Sequence, residues 1–172
     1  MPSLLRPSAG SISLSLLLIA PILVAQQGCE DDPYDPGLHV EEHACVHFED
    51  GPVEEITAAA NPVNAPDMSE HHTRYDIEMV SYDGGMGGYT SFEADEHGIL
   101  LIFSDQPAEM QLLDDRLNPI DFEDIRPTSE ACALIGARYV AHVDAERYFI
   151  EFGPAGVPPV ISIAIEEGED SH

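Results

Sequence analysis

Ile99-Leu100-Leu101-Ile102-Phe103 is an unbroken apolar run closed on either side by Gly98 and Ser104. Its length is that of a strand, and its lack of alternation says that both faces are covered. It predicts a central, doubly buried strand over 98–104. Just upstream, Tyr89 to Ala94 reads as a second strand, joined to it as a hairpin through Asp95-Glu96-His97. Further back, Thr73 to Val80 alternates, with Tyr75, Ile77 and Met79 on one face and Arg74, Asp76 and Glu78 on the other. The intervening Asp83-Gly84-Gly85-Met86-Gly87-Gly88 reads as a mobile turn or loop. Val53 to Ala60 is another candidate strand. Glu54 to Ala60 also suits a helix, and Asn61-Pro62 and Ala65-Pro66 end the segment in either case. Downstream lie Ala108 to Leu113, Arg138 to Val143, Arg147 to Phe152 and Val160 to Ile165, the last with Ile161, Ile163 and Ile165 on one face. Residues 120–131 are acidic and carry no pattern.

Counting Glu42 to Phe48, discussed below, about eight or nine short strands recur at roughly ten-residue spacing. No long helical period and no internal repeat interrupts them. The expected fold class is all-β, an antiparallel β-sandwich or jelly roll. From about Tyr89 to Ile165 the pattern resembles the bacterial pre-peptidase C-terminal type of β-sandwich. The resemblance rests on Tyr89-Thr90-Ser91-Phe92, on the Ile99–Phe103 run, and on Arg147-Tyr148-Phe149-Ile150-Glu151-Phe152 followed by a loop and an Ile-rich strand. It implies a non-catalytic accessory domain, at the level of fold alone.

Charge excludes one class of partner. The 172 residues carry 6 basic and 33 acidic side chains, a formal net charge of -27, with 44% hydrophobic content, enough for one real core. Such a chain repels phosphate backbones, so nucleic acid is not a partner. It is also repelled by anionic bilayers, so membrane attachment has to run through a covalent lipid or the leader. The carboxylates serve solubility first, although they also draw in cations.

Residues 1–28 read as a signal peptide: Arg6 supplies the positive start and Ile12 to Val24 an apolar run too short for a comfortable membrane span. Gly28-Cys29 resembles the junction of a bacterial lipoprotein signal, which implies lipidation of Cys29, although Gln26 stands where that motif carries Leu, Val or Ile. Cleavage after Ala25, in Leu23-Val24-Ala25, is the competing route. Residues 29–39 are acidic and Pro-rich and read as a tether of the kind that holds a lipoprotein domain clear of its membrane. The expected domain is then 40–167 with an acidic tail at 168–172. The implied location is extracytoplasmic, in the periplasm or at the outer membrane or cell surface.

With Cys29 lipidated, Cys45 and Cys132 remain as an even pair in an oxidising compartment, and a disulfide is their default fate. Cys45 lies in Glu42-His43-Ala44-Cys45-Val46-His47-Phe48, whose period-two alternation predicts a first strand with His43, Cys45 and His47 on one face. Strand residues two apart are separated by roughly 6.5 Å and chelate readily; those four apart are about 13 Å apart and share an ion only across a bend or bulge. A thiolate Cys45 would pair naturally with either histidine. A disulfide-bonded Cys45 leaves the histidines to bind alone. His71-His72 precedes the third strand, and one of that pair faces the first strand if the two are neighbours; His142 is a further candidate. Imidazoles with one carboxylate suit zinc or copper.

No metalloprotease, nucleophile-elbow, phosphate-loop, dinucleotide or EF-hand pattern is present. The expectation is a non-catalytic binding domain on a membrane lipid anchor, holding zinc or copper at His43, His47 and one of His71 and His72. The alternative is a metal-free β-sandwich module that engages a protein partner.

Overall fold

The computed structural model describes residues 36–129 and 131–168. The signal peptide, Cys29, most of the tether and nearly all of the acidic tail lie outside the described residues. The fold class is the expected one: two antiparallel-rich sheets packed face to face.

In chain order the elements are α1 (Pro36–Asp50), β1 (Val53–Thr57), a single 3-10 turn (Pro62–Asn64), β2 (Arg74–Glu78), β3 (Val80–Tyr82), β4 (Gly85–Glu93), β5 (Gly98–Ser104), β6 (Met110–Leu113), β7 (Pro119–Ile120), β8 (Asp124–Arg126), β9 (Ala137–Val143), β10 (Arg147–Phe152) and β11 (Val160–Gly168). One sheet has six strands in the order β1-β2-β11-β5-β9-β8, and the other has five in the order β3-β4-β10-β6-β7. All named pairs are antiparallel except β1 with β2. Between the sheets Tyr75, Ile77, Leu100, Ile102, Ile161 and Ile163 meet Phe92, Leu112, Tyr148, Ile150 and Phe152. The inward faces of β2 and β11 are those read from their alternation.

β5 is central, hydrogen-bonded to β11 on one side and β9 on the other. Leu100 and Ile102 enter the inter-sheet core, whereas Leu101 and Phe103 enter a second core on the outer face of the six-stranded sheet. That outer core, completed by Ala44, Phe48, Cys132, Ile135 and Ala164, explains why the run has no polar alternation.

The cover over this outer core is the largest departure from expectation. Residues 36–50 form a helix, not a strand beginning at Glu42, and the helix takes in 36–39 from the expected tether. Glu41, Ala44, His47 and Phe48 are buried, with Val40 and Cys45 half-buried, which is one face of a 3.6-residue period. A lone strand would have projected Ala44 and Phe48 away from Cys45 and His47. The helix brings all four toward the apolar outer face of the sheet, which a single extended segment would have left largely wet. Gly51 ends it: a side chain there would lie 2.7 Å from the His47 backbone, and Pro52 follows.

Two further expectations fail. β4 and β5 are not a hairpin, because they belong to different sheets and residues 94–97 carry the chain across the sandwich. The crossing lets Phe92 and Leu100 face one another from opposite layers. The glycine-rich loop is mostly strand: only Asp83-Gly84 turns, both at positive φ (43° and 84°) as a tight hairpin requires, and Gly85 already belongs to β4. Among residues 120–131, which carried no pattern, lies the short edge strand β8. No helix among the described residues is long and apolar enough to cross a membrane.

Candidate metal centre

His43 and His47 lie four residues apart on α1, so both project from one side of the helix. The roughly 13 Å that separates such positions on a strand does not arise; their ring centroids are 4.6 Å apart. That side looks onto β11. Ile161 and Ile163 point into the sandwich, so Ala164 and Glu166 take the opposite face, beneath the helix. His72 comes from the turn leading into β2, with φ at 59°, a left-handed conformation uncommon outside glycine. Its ring stands 5.2 Å from that of His43 and 5.1 Å from that of His47.

One ligand atom from each of His43, His47, His72 and Glu166 lies within 4.8 Å of all the others. His47 Nε2 is 3.1 Å from Glu166 Oε1, His43 Nδ1 is 3.3 Å from Glu166 Oε2, and His72 Nδ1 is 3.3 Å from His47 Nε2. With metal–nitrogen bonds of about 2.0–2.1 Å, the edges of a tetrahedron of ligands are about 3.3 Å. These three separations, which involve both carboxylate oxygens, are close to that length, and the group could hold a metal ion.

The floor of the group is buried and its rim is open. The side chains of His47 and Glu166 are 7% and 11% exposed, whereas that of His43 is 50% exposed. His72 is exposed as well. Burial is the main cause that pushes the His47 pKa below its ordinary value. Glu166 opposes the shift, and the neighbouring imidazoles His43 and His72 add to it. The neutral ring, the form that donates a lone pair to a metal, is thereby favoured. Among the described residues, Glu166 Oε1 is buried without a hydrogen-bond partner. Its approach to His47 is close enough for an ion pair but is not aligned as a hydrogen bond. A buried carboxylate oxygen left in this state is costly, and a cation at the focus of the four groups would satisfy it.

The other candidates lie elsewhere. His71 turns away from its neighbour and meets Asp95 at 3.0 Å on the surface. His142, on β9, meets Glu123 at 2.9 Å. Cys45 is disulfide-bonded to Cys132, so it supplies no thiolate to the site. The bond joins a helix, not a strand, to the loop before β9. Glu166 is the member of the group that the sequence reading missed. The alternation of β11 puts it opposite the isoleucines, but only the helix above makes that face an interior one.

The helix that carries His43 and His47 is fastened at several points. Arg138 Nη1 donates to Glu41 Oε1 at 2.7 Å in a pair 4% and 5% exposed, and Ser129 Oγ donates to Glu41 Oε2 at 2.8 Å. Arg74 Nη1 donates to the Phe48 carbonyl at 2.8 Å, placing a cation at the C-terminal end of α1. No protein-family model matches the chain, and no curated protein matches it.

Proposed function

We propose that the protein is an extracytoplasmic lipoprotein, anchored through Cys29, whose β-sandwich domain binds zinc or copper through His43, His47, His72 and Glu166. The observation that carries the reading is the buried, unpartnered Glu166 oxygen facing three converging imidazoles. A mixed imidazole–carboxylate set suits either metal. Four protein ligands close the coordination of a tetrahedral ion and leave no position for a reacting water, so the reading is binding without catalysis. A disulfide is compatible with an extracytoplasmic location, where it persists.

Elemental analysis and calorimetry on the purified protein test the site. One zinc or copper per chain is expected, with binding abolished in His43→Ala/His47→Ala. Stoichiometric metal unchanged by those substitutions would refute this ligand set, and absence of binding would favour a metal-free interaction module. Intact mass of the exported protein tests the anchor, since an unmodified N-terminus at Gln26 would overturn lipidation of Cys29.

A further inference from the structure

We propose that the ion at His43, His47, His72 and Glu166 is exchangeable cargo, taken up and released at the His43–His72 rim by a domain already folded without it. The proposal rests on the metal-binding reading and adds what the site is for. A closed set of protein ligands ordinarily marks a structural ion, whose binding energy is folding energy. Here every element that carries a ligand is fastened by other means.

The helix is tied covalently to the loop before β9 by Cys45–Cys132. It is held again by the buried Glu41–Arg138 pair, by Arg74 on the Phe48 carbonyl, and by Ala44 and Phe48 packed in the outer core. Glu166 stands in the middle of the β11–β5 ladder, opposite Leu101. His72 is two residues before Arg74, the first residue of β2, which is itself paired on both sides. Removing the ion therefore releases none of these elements.

Burial divides the ligands into two classes. His47 and Glu166 form a fixed floor, whereas His43 and His72 meet solvent. An exposed imidazole can rotate away and be replaced by an incoming donor while the floor still holds the ion, which is stepwise ligand exchange and not unfolding. The acceptor is accordingly a chelating side-chain or small-molecule ligand approaching from the rim. The formal charge of -27 raises the local concentration of cations and favours loading.

The test compares stripped and zinc-loaded protein. Removal of metal by a chelator, checked by elemental analysis, is followed by far-UV circular dichroism and thermal unfolding. Release of bound zinc to the chromophoric chelator 4-(2-pyridylazo)resorcinol is then timed. The expected result is the same spectrum and cooperative unfolding with and without zinc, and a midpoint that rises with free zinc by mass action. Transfer to the chelator should be faster than global unfolding, and about tenfold faster still in His43→Ala. Stoichiometric zinc whose removal abolishes cooperative unfolding, or whose release keeps pace with unfolding, would overturn the proposal and leave the metal-binding reading standing. Absence of stoichiometric zinc would overturn both.

Discussion

His47 Nε2 lies 3.1 Å from Glu166 Oε1, yet that buried oxygen receives no aligned hydrogen bond. The contact joins the first described helix to the last strand. It makes Glu166 the pivot of the candidate metal centre, since its carboxylate is the one anionic side chain among the four. Glu166→Gln keeps the shape and removes the charge. Zinc affinity should fall roughly 100-fold, about 2.7 kcal/mol, with the circular dichroism spectrum unchanged. His71→Ala, outside the group, should leave affinity as it is. Calorimetry on the two variants checks both, and equal losses would count against the assignment.

Acid should weaken the domain through His47. Burial, only partly opposed by Glu166, holds its folded pKa below the ordinary 6.5. The native state therefore binds fewer protons than the unfolded chain at this site. The associated stability is present above pH 6.5 or so and is lost as pH falls through the folded value. The midpoint of metal-free protein should drop as pH falls below about 6.5, and His47→Gln should flatten that part of the profile. Zinc affinity should fall in the same direction, because protons compete for the same nitrogens.

Cys45 and Cys132 close a loop across a sequence separation of 87. Cys45→Ala/Cys132→Ala should cost about 2–4 kcal/mol, read as a fall of roughly 10 °C in Tm. Zinc binding should survive at reduced affinity, since Cys45 supplies no ligand but holds α1, and with it His43 and His47, over β11. Calorimetry on the folded double variant distinguishes this from a thiolate site, in which binding would vanish.

Glu41 and Arg138 form a buried pair, and Arg138 Nη2 also donates to Asp124 at 3.1 Å, so removing Arg138 strands the Glu41 carboxylate whereas removing Glu41 leaves Arg138 an anionic partner. Arg138→Met should cost about 3–5 kcal/mol and Glu41→Leu less, whereas the double variant should recover much of the Arg138→Met loss. Denaturant unfolding of the four proteins in a double-mutant cycle measures the coupling. Additive losses would show that the pair does not act as a unit.

The β-sandwich was legible in the chain because strand alternation is local: Tyr75, Ile77 and Met79, and Ile161 and Ile163, declare their inner faces within a few residues. The doubly apolar Ile99–Phe103 run likewise declared its central place. Residues 42–48 did not declare theirs. The same seven residues alternate with period two and also contribute Ala44, His47 and Phe48 to a helical face, and so short a window does not separate the two periods. Widening it to Val40 and Glu41 gives the helical signal.

The sequence alone determined the strand-rich class, the acidic surface, the pairing of the two later cysteines and the gathering of histidines as donors. It took the packed fold to show that Glu166 completes the group, that His72 joins it while His71 does not, and that Cys45 fastens the helix through its disulfide and stays out of the group. The physical reason is that a ligand set is a property of opposed faces. Whether the outer face of β11 meets water or a helix depends on what packs over it, and that cover is supplied by a segment from the far end of the domain.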